Sequence, residues 1–330
     1  GAINANKQLV LDYYDKSITL GAELVVFPEL VLTGYPPQDL LLRDHFLRKV
    51  SKALDEIAAY SSVPMILGSI LIKNDDLFNS SFLCENGSII GSYQKILLPT
   101  YDVFDEDRYF KSGSSDCVFN LKVSNQTKKV GLQICEDLWD HNYSKDLVGI
   151  AKDSGAEIII NISASPFGED RLLERCNIIK QKVQKAGLPF VYCNLVGSQD
   201  ELIFDGQSLA YDSNANLIAK GKSFDEDLLI VDLTESKPVQ IDQPLREESI
   251  FNALTLGVKD YFSKTGHNKA VIGLSGGIDS SLTACIAVKA LGSDNVYGVS
   301  MPSKFSSDHS ISDAKKLANN LQIDFRKIPI

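Results

Sequence analysis

Residues 271–281 read Val-Ile-Gly-Leu-Ser-Gly-Gly-Ile-Asp-Ser-Ser. The apolar run 271–274 predicts a short buried strand, 275–280 a glycine-rich loop, and 281–291 a helix. Beyond it, 295–299 is strand-like, 313–321 helical and 325–330 strand-like again. The order β-α-β-α-β predicts a parallel sheet with the glycine loop at the end of a strand. Three strands rarely complete a domain of this kind, so a further C-terminal part is expected.

Glycines let the backbone come close to a ligand. A helix that begins just after them offers free N–H groups and a partial positive charge, which favour an anion. Ser275, Ser280 and Ser281 add hydroxyl donors, and Asp279 would suit a Mg²⁺ ion shared with a phosphate. A tight strand-to-helix turn capped by serine would leave the same residues.

Upstream, residues 234–246 (Thr-Glu-Ser-Lys-Pro-Val-Gln-Ile-Asp-Gln-Pro-Leu-Arg) have no clear period and hold two prolines. They mark a boundary between a first domain, 1–238, and a second, 239–330. A helical stripe, Ile250, Leu254, Val258 and Phe262, opens the second.

In the first domain Leu9, Tyr13 and Ile18 predict a helix at the very start. An α/β domain usually leads with a strand, so a first strand is expected upstream of Gly1. Phe46, Val50, Leu54 and Ala58 predict one face of a second helix. Strands are expected at 24–27, 65–72, 130–134, 158–162 and 228–233. Hairpins are expected at 82–93, around Asn86-Gly87, and at 208–220. Helices mixed with hairpins predict a layered α/β sandwich.

A net charge of −10 argues against a general nucleic-acid binder, which needs clustered Lys and Arg. The six cysteines show neither C-x-x-C pairs nor zinc spacing with histidine, which points to a reducing, cytoplasmic compartment. No apolar run approaches the roughly 18 residues that span a membrane.

Three segments place one chemical group each just past a strand: Phe27-Pro28-Glu29-Leu30, Tyr93-Gln94-Lys95-Ile96-Leu97-Leu98-Pro99, and Gln133-Ile134-Cys135-Glu136-Asp137-Leu138-Trp139. A thiol is a strong nucleophile once it becomes thiolate. Glu29 could take its proton, and the Lys95 ammonium could stabilise an oxyanion. Taken singly, each has a plainer role: Cys135 a small buried hydrophobe, Glu29 a cap, Lys95 a solvated strand end.

Together the three segments resemble the Glu-Lys-Cys triad of the nitrilase superfamily, which hydrolyses amides through a thioester. Residues 32–40 (Leu-Thr-Gly-Tyr-Pro-Pro-Gln-Asp-Leu) and 103–110 (Val-Phe-Asp-Glu-Asp-Arg-Tyr-Phe) are similar to the glutaminase branch of glutamine-dependent NAD(+) synthetases. That resemblance makes Glu106 the supporting glutamate of the triad, and assigns Tyr101, Ser165 and Arg171 to glutamine. Ser163 is a rival for the serine. The loop Gly273-Leu274-Ser275-Gly276-Gly277-Ile278-Asp279-Ser280 resembles the phosphate loop of the ATP-pyrophosphatase (PP-loop) family, with Asp279 toward the metal. Residues 299–307 resemble a Met-Pro-Ser segment of NAD synthetases, Phe305 being a departure from its usual tyrosine.

The resemblance covers nearly all 330 residues. It implies a nitrilase-type α-β-β-α sandwich followed by the start of a Rossmann-like PP-loop ATP pyrophosphatase domain. It also implies the reaction: glutamine is hydrolysed to glutamate and ammonia, and the ammonia amidates deamido-NAD(+) after its adenylylation by ATP. ATP and Mg²⁺ are expected, with no tightly bound organic cofactor. An ammonia tunnel and a homo-oligomer are expected as well, with no nucleic-acid or membrane partner. A simple amidase with an idle ATP domain shares every glutaminase residue, and a non-enzymatic scaffold would not require the triad.

Overall fold

The structure, a computed structural model, describes residues 1–114, 116–123, 126–241 and 245–330. Asp242, Gln243 and Pro244 of the expected linker lie outside the described residues. The chain forms two compact units. One holds residues 1–196 and 204–241; the other holds 197–203 and 245–330.

The first unit runs α1 (Ile3–Thr19), β1 (Val25–Val26), α2 (Asp44–Tyr60), β2 (Met65–Lys73), β3 (Asp76–Glu85), β4 (Ser88–Gln94), β5 (Val118–Val123) and β6 (Gln126–Ile134). It continues with α3 (Leu147–Asp153), β7 (Ile158–Ser163), α4 (Arg171–Ala186) and β8 (Phe190–Asn194). After a hairpin of β9 (Val196–Gln199) and β10 (Leu202–Asp205) come β11 (Leu209–Tyr211) and β12 (Leu217–Lys220).

Two sheets form the core. One is four-stranded in the order β1-β2-β3-β4; the other is six-stranded in the order β12-β11-β8-β7-β6-β5. In the second, β6, β7 and β8 are parallel and the flanking strands antiparallel. Ile66 and Leu83 of the first sheet share one apolar core with Leu132, Ile134, Ile160 and Ile162 of the second. Helices α1 and α2 pack together, with α2 on the first sheet; α3 and α4 cover the second. The result is an α-β-β-α sandwich.

The local reasons are visible in the residues. In α2 the buried side chains are Phe46, Val50, Ala53, Leu54, Ile57 and Ala58, a helical stripe that faces the sheet. Asn86 and Gly87 both take positive φ (50° and 76°), as a two-residue hairpin turn requires. Gly68 on β2 is a close approach: a Cβ there would stand 2.3 Å from Leu30 N and 2.6 Å from Glu29 Cα. Only a glycine lets β2 run directly behind Glu29.

In the second unit, α5 (Arg246–Thr265) is followed by β13 (Ala270–Gly273), α6 (Ile278–Leu291), β14 (Val296–Ser300), α7 (Asp308–Asn320) and β15 (Asp324–Lys327). The three strands are parallel, in the order β13-β14-β15. Leu274, Ala284, Ala287, Val296, Ala314, Ala318 and Ile323 make its core. The hairpin tip is held within this unit by α5, whose Asp260 accepts from Ser198 N at 2.7 Å.

Several expectations change. Residues 228–233 form no strand: no ladder pairs their backbone among the described residues, and Ile230 and Leu233 are exposed. Helix α1 exists but buries Ile3, Val10, Tyr14 and Ser17 rather than the Leu9 stripe, since Leu9 is 43% exposed. Helix α6 starts at Ile278 rather than 281, because Gly277 in extended backbone already serves as its N-cap. Helix α7 likewise starts earlier, at Asp308.

Replacing Gly68 by alanine forces the β2 backbone and the Pro28–Leu30 turn apart. Gly68→Ala is expected to cost about 1–3 kcal/mol, a typical overpacking penalty. Trp139, the single tryptophan, lies in the same unit and reports its unfolding in a denaturant titration; an unshifted midpoint would show that the turn yields freely.

Candidate active site

Strand ends from both sheets deliver the groups. Glu29 follows β1, Lys95 follows β4, Cys135 follows β6, and Ala164 and Ser165 follow β7. Cys135 sits at φ 43°, in the left-handed region that costs a non-glycine residue roughly 1–2 kcal/mol. The chain there leaves β6 and enters a 3-10 helix, Cys135–Tyr143, within one residue. Strain of this kind is concentrated at functional sites.

Lys95, 1% exposed, is held between two carboxylates. Its ammonium donates to Glu29 Oε1 at 2.9 Å and to Glu106 Oε1 at 2.7 Å. Asn79 of β3 donates to Glu29 Oε1 at 2.7 Å and to Glu106 Oε2 at 3.4 Å. The Tyr35 hydroxyl donates to Glu106 Oε1 at 2.7 Å, and the backbone N–H of Ala164 donates to Glu29 Oε2 at 2.8 Å. All four predicted groups, Glu29, Lys95, Cys135 and Glu106, are buried.

The electrostatics follow from this packing. Burial works against the Lys95 ammonium, yet Glu106 and Glu29 outweigh it and hold its pKa well above the ordinary value. Burial raises Glu106 in turn, against the pull of Lys95. Burial also pushes the Cys135 thiol well above the usual range; Glu29 adds to this, and Lys95 opposes it. Of the charges around this thiol, Glu29 acts on it most strongly.

The residues assigned to glutamine surround the same turn. Tyr101, half exposed, donates to both Glu136 oxygens at 3.1 and 3.0 Å, and Tyr143 donates to Glu136 Oε1 at 2.9 Å. Arg171, at the start of α4, lies over the Trp139 ring with its guanidinium carbon 5.1 Å from the centroid. Ser165 is buried; its Oγ accepts from Arg175 Nη2 at 3.1 Å. Ser163, the rival, is fully buried and donates to Asn161 Oδ1 at 2.7 Å.

Sequence reasoning passed over several of these partners. Asn79 lies on the part of β3 that precedes the expected hairpin. Glu136 was read only as part of a motif. Arg175, wholly buried, ties Ser165 to Asp205 through two bonds of 2.9 and 3.0 Å. An Arg four residues beyond Arg171 on a helix gives no sequence signal of burial.

In the second unit the loop lies where it was expected, between β13 and α6. Gly276 takes φ 85°, and a Cβ there would stand 2.3 Å from Ser310 O. Ser275 and Ser280 hydroxyls bond one another at 3.0 Å, and Gly277 N donates to Ser275 Oγ at 3.2 Å. The first helical bond runs from Ser281 N to Gly277 O, so the N–H groups of Ile278, Asp279 and Ser280 have no intrahelical acceptor. The Leu274 side chain belongs to the core, and its N–H donates to Val299 O, while Gly273 and Gly277 are exposed. Asp279 is exposed; no group of three metal-binding side chains occurs among the described residues. A single carboxylate fits a cation that phosphate oxygens and water also hold.

The family model for carbon-nitrogen hydrolase matches residues 2–239. The chain belongs to the carbon-nitrogen hydrolase family. A second model, NAD synthase, matches residues 250–330 of this carbon-nitrogen hydrolase chain. The glutamine-dependent NAD(+) synthetase of Aquifex aeolicus is 38% identical over 368 residues, an alignment that takes in 100% of this chain and 64% of that relative. The structure of the glutamine-dependent NAD+ synthetase from Acinetobacter baumannii, in complex with ADP, superposes with a TM-score of 0.90 at 31% identity, covering 100% of this chain and 62% of that one. The chain thus spans less than two thirds of the length of these relatives. An amidase of the nitrilase superfamily from Nesterenkonia shares the fold at a TM-score of 0.57 and 20% identity, over 66% of this chain and 80% of its own.

Two outcomes follow from the buried charges. Lys95→Met leaves two carboxylates buried without their cation, and should destabilise the first unit by about 3–5 kcal/mol near neutral pH. The loss should shrink as pH falls, because Glu106, whose folded pKa is raised by burial, takes up a proton before the carboxyls of the unfolded chain do. Denaturation followed at Trp139 across pH checks both. Separately, Glu29→Gln removes a charge that raises the Cys135 pKa, and Lys95→Met removes one that lowers it. The pH curve of iodoacetamide alkylation at the Cys135 peptide should move down in the first variant and up in the second. Shifts in the same direction would contradict the electrostatic reading.

Proposed function

We propose that this protein is a glutamine-dependent NAD(+) synthetase, with a glutaminase in residues 1–238 and the N-terminal part of an ATP-using amidation domain in 239–330. The observation that carries the reading is the buried Glu29–Lys95–Glu106 network at the Cys135 turn. It supplies a nucleophile, a base and an oxyanion donor in one place.

Cys135 attacks the side-chain amide carbon of glutamine while its proton passes to Glu29. The tetrahedral oxyanion is met by the Lys95 ammonium, which Glu106 keeps charged and oriented. Glu29 returns the proton to the leaving nitrogen, and ammonia departs from a Cys135 thioester. A water molecule, deprotonated by Glu29, then hydrolyses the thioester to glutamate. Arg171 suits the substrate carboxylate, because a guanidinium can bind it with two parallel bonds. Tyr101 and Ser165 suit further polar contacts with glutamine, and Glu136, flanked by two phenols, suits the α-ammonium.

The ammonia serves the second unit. The amides at the start of α6, with the Gly273–Ser280 segment, suit the phosphates of ATP. AMP is transferred to the nicotinate carboxylate of deamido-NAD(+), with pyrophosphate as leaving group. Ammonia then displaces AMP to give NAD(+). Mg²⁺, held by Asp279 and the phosphates, would neutralise charge on the leaving group. The setting we infer is the cytoplasm, where cysteines stay reduced: all six are free. A homo-oligomer is inferred from the resemblance.

The test is NAD(+) formation from deamido-NAD(+), ATP and Mg²⁺ by the full-length protein, fed with glutamine or with ammonium. Cys135→Ala should lose the glutamine feed, by at least 1,000-fold on the scale typical of an essential nucleophile, and keep the ammonium feed. Glutaminase activity that survives in this variant would sink the triad. Ammonia release by the parent without any NAD(+) would leave an amidase.

A further inference from the structure

Asp137, two residues past the nucleophile, is wholly buried, and its carboxylate accepts four hydrogen bonds. Oδ2 accepts from Ile134 N at 3.0 Å and from the Tyr93 hydroxyl at 2.7 Å. Oδ1 accepts from Ile96 N at 3.2 Å and Leu97 N at 3.0 Å. Ile134 immediately precedes Cys135, and Ile96 immediately follows Lys95. One oxygen therefore holds the nucleophile's turn, at the end of the six-stranded sheet. The other holds the lysine's loop, at the end of the four-stranded sheet.

A carboxylate at this helix position often does no more than cap its own helix, and the Ile134 bond fits that role. The Ile96 and Leu97 bonds do not, since these amides lie some forty residues away, just past the end of the other sheet, and are neither helix nor strand amides of the Cys135 segment. Burial pushes the Asp137 carboxyl up to about 6, while its bonds from Ile134 and Tyr93 hold it down. Both of its oxygens face donors, two each, which suits an anion.

We infer that Asp137 is a positioning residue for the proposed glutaminase reaction, fixing the distance between the Cys135 sulfur and the Lys95 ammonium by clamping the two turns to each other. It touches no substrate. The inference rests on the reading of Cys135 as nucleophile. An asparagine in its place has one acceptor oxygen instead of two, so either the nucleophile's turn or the lysine's loop would face an NH₂ group. A displacement of about 1 Å in such a pair can cost on the order of 100-fold in rate.

The experiment compares Asp137→Asn with the parent as full-length proteins, with rates normalised to correctly folded enzyme. Glutamine hydrolysis should fall roughly 10- to 100-fold in kcat. Formation of the Cys135 thioester in a single turnover, followed by rapid quench and mass spectrometry, should slow in step. Glutamine affinity, measured by calorimetry in a Cys135→Ala background with and without Asp137→Asn, should stay the same. A parental kcat, or a loss of glutamine binding that matches the loss of rate, would overturn the inference. If Asp137→Asn does not fold, Tyr93→Phe decides: it removes one of the four bonds. A drop in kcat at unchanged glutamine affinity supports the clamp, and an unchanged kcat refutes it. Glutaminase activity in Cys135→Ala would instead refute the nucleophile reading itself.

Discussion

A lysine ammonium buried between two carboxylates cannot be shifted cheaply. Taking three charges out of water costs several kcal/mol per ion, and mutual attraction repays this only when the geometry is good and the remaining lone pairs are bonded. The surroundings of Lys95 meet that demand. Asn79 bridges Glu29 and Glu106, Tyr35 binds Glu106, and Ala164 N binds Glu29. These partners come from β3, from the loop after β1, and from the end of β7. The charge cluster thus ties these three segments to one place, and the sandwich is the frame that brings them there.

The same logic recurs at a second buried ion pair. Arg175 and Asp205 are almost fully shielded from solvent, and Asn194 and Gln207 donate to the same two Asp205 oxygens that Arg175 binds. Arg175 also reaches the Ser165 and Pro166 carbonyls, at 3.0 Å each. Such a pair contributes little net stability compared with apolar packing, but it admits few alternative arrangements. The loop after β7 is held by it in one shape.

Most of this was legible in the sequence where a chemical group and a period coincided. The α2 stripe, the Asn86-Gly87 turn and the β-α-β-α-β run rest on local rules, and the structure agrees with them. Glu29, Lys95 and Cys135 come together, as the placement of each just past a predicted strand suggested. What escaped was decided by distant partners. Strands β5 and β8 have weak alternation and exist because neighbours pair with them. The 228–233 run is as apolar as a strand, and no strand among the described residues pairs with it. Asn79 and Arg175 look like surface residues until the elements that bury them are in place.

The reactive groups and the outer contacts differ in kind. Glu29, Lys95 and Glu106 are enclosed and bonded through the lysine, and Asp137 is enclosed and bonded to the turns that carry Lys95 and Cys135, so a change in one disturbs the rest. Tyr101 and Arg171 are partly exposed, the first in contact with Glu136 and Phe104, the second with Trp139 and Glu174. Selection can therefore rework the rim of such a site one residue at a time, while the enclosed centre can change only as a set. A fold built this way would keep its enclosed centre through long divergence and let the surrounding contacts drift.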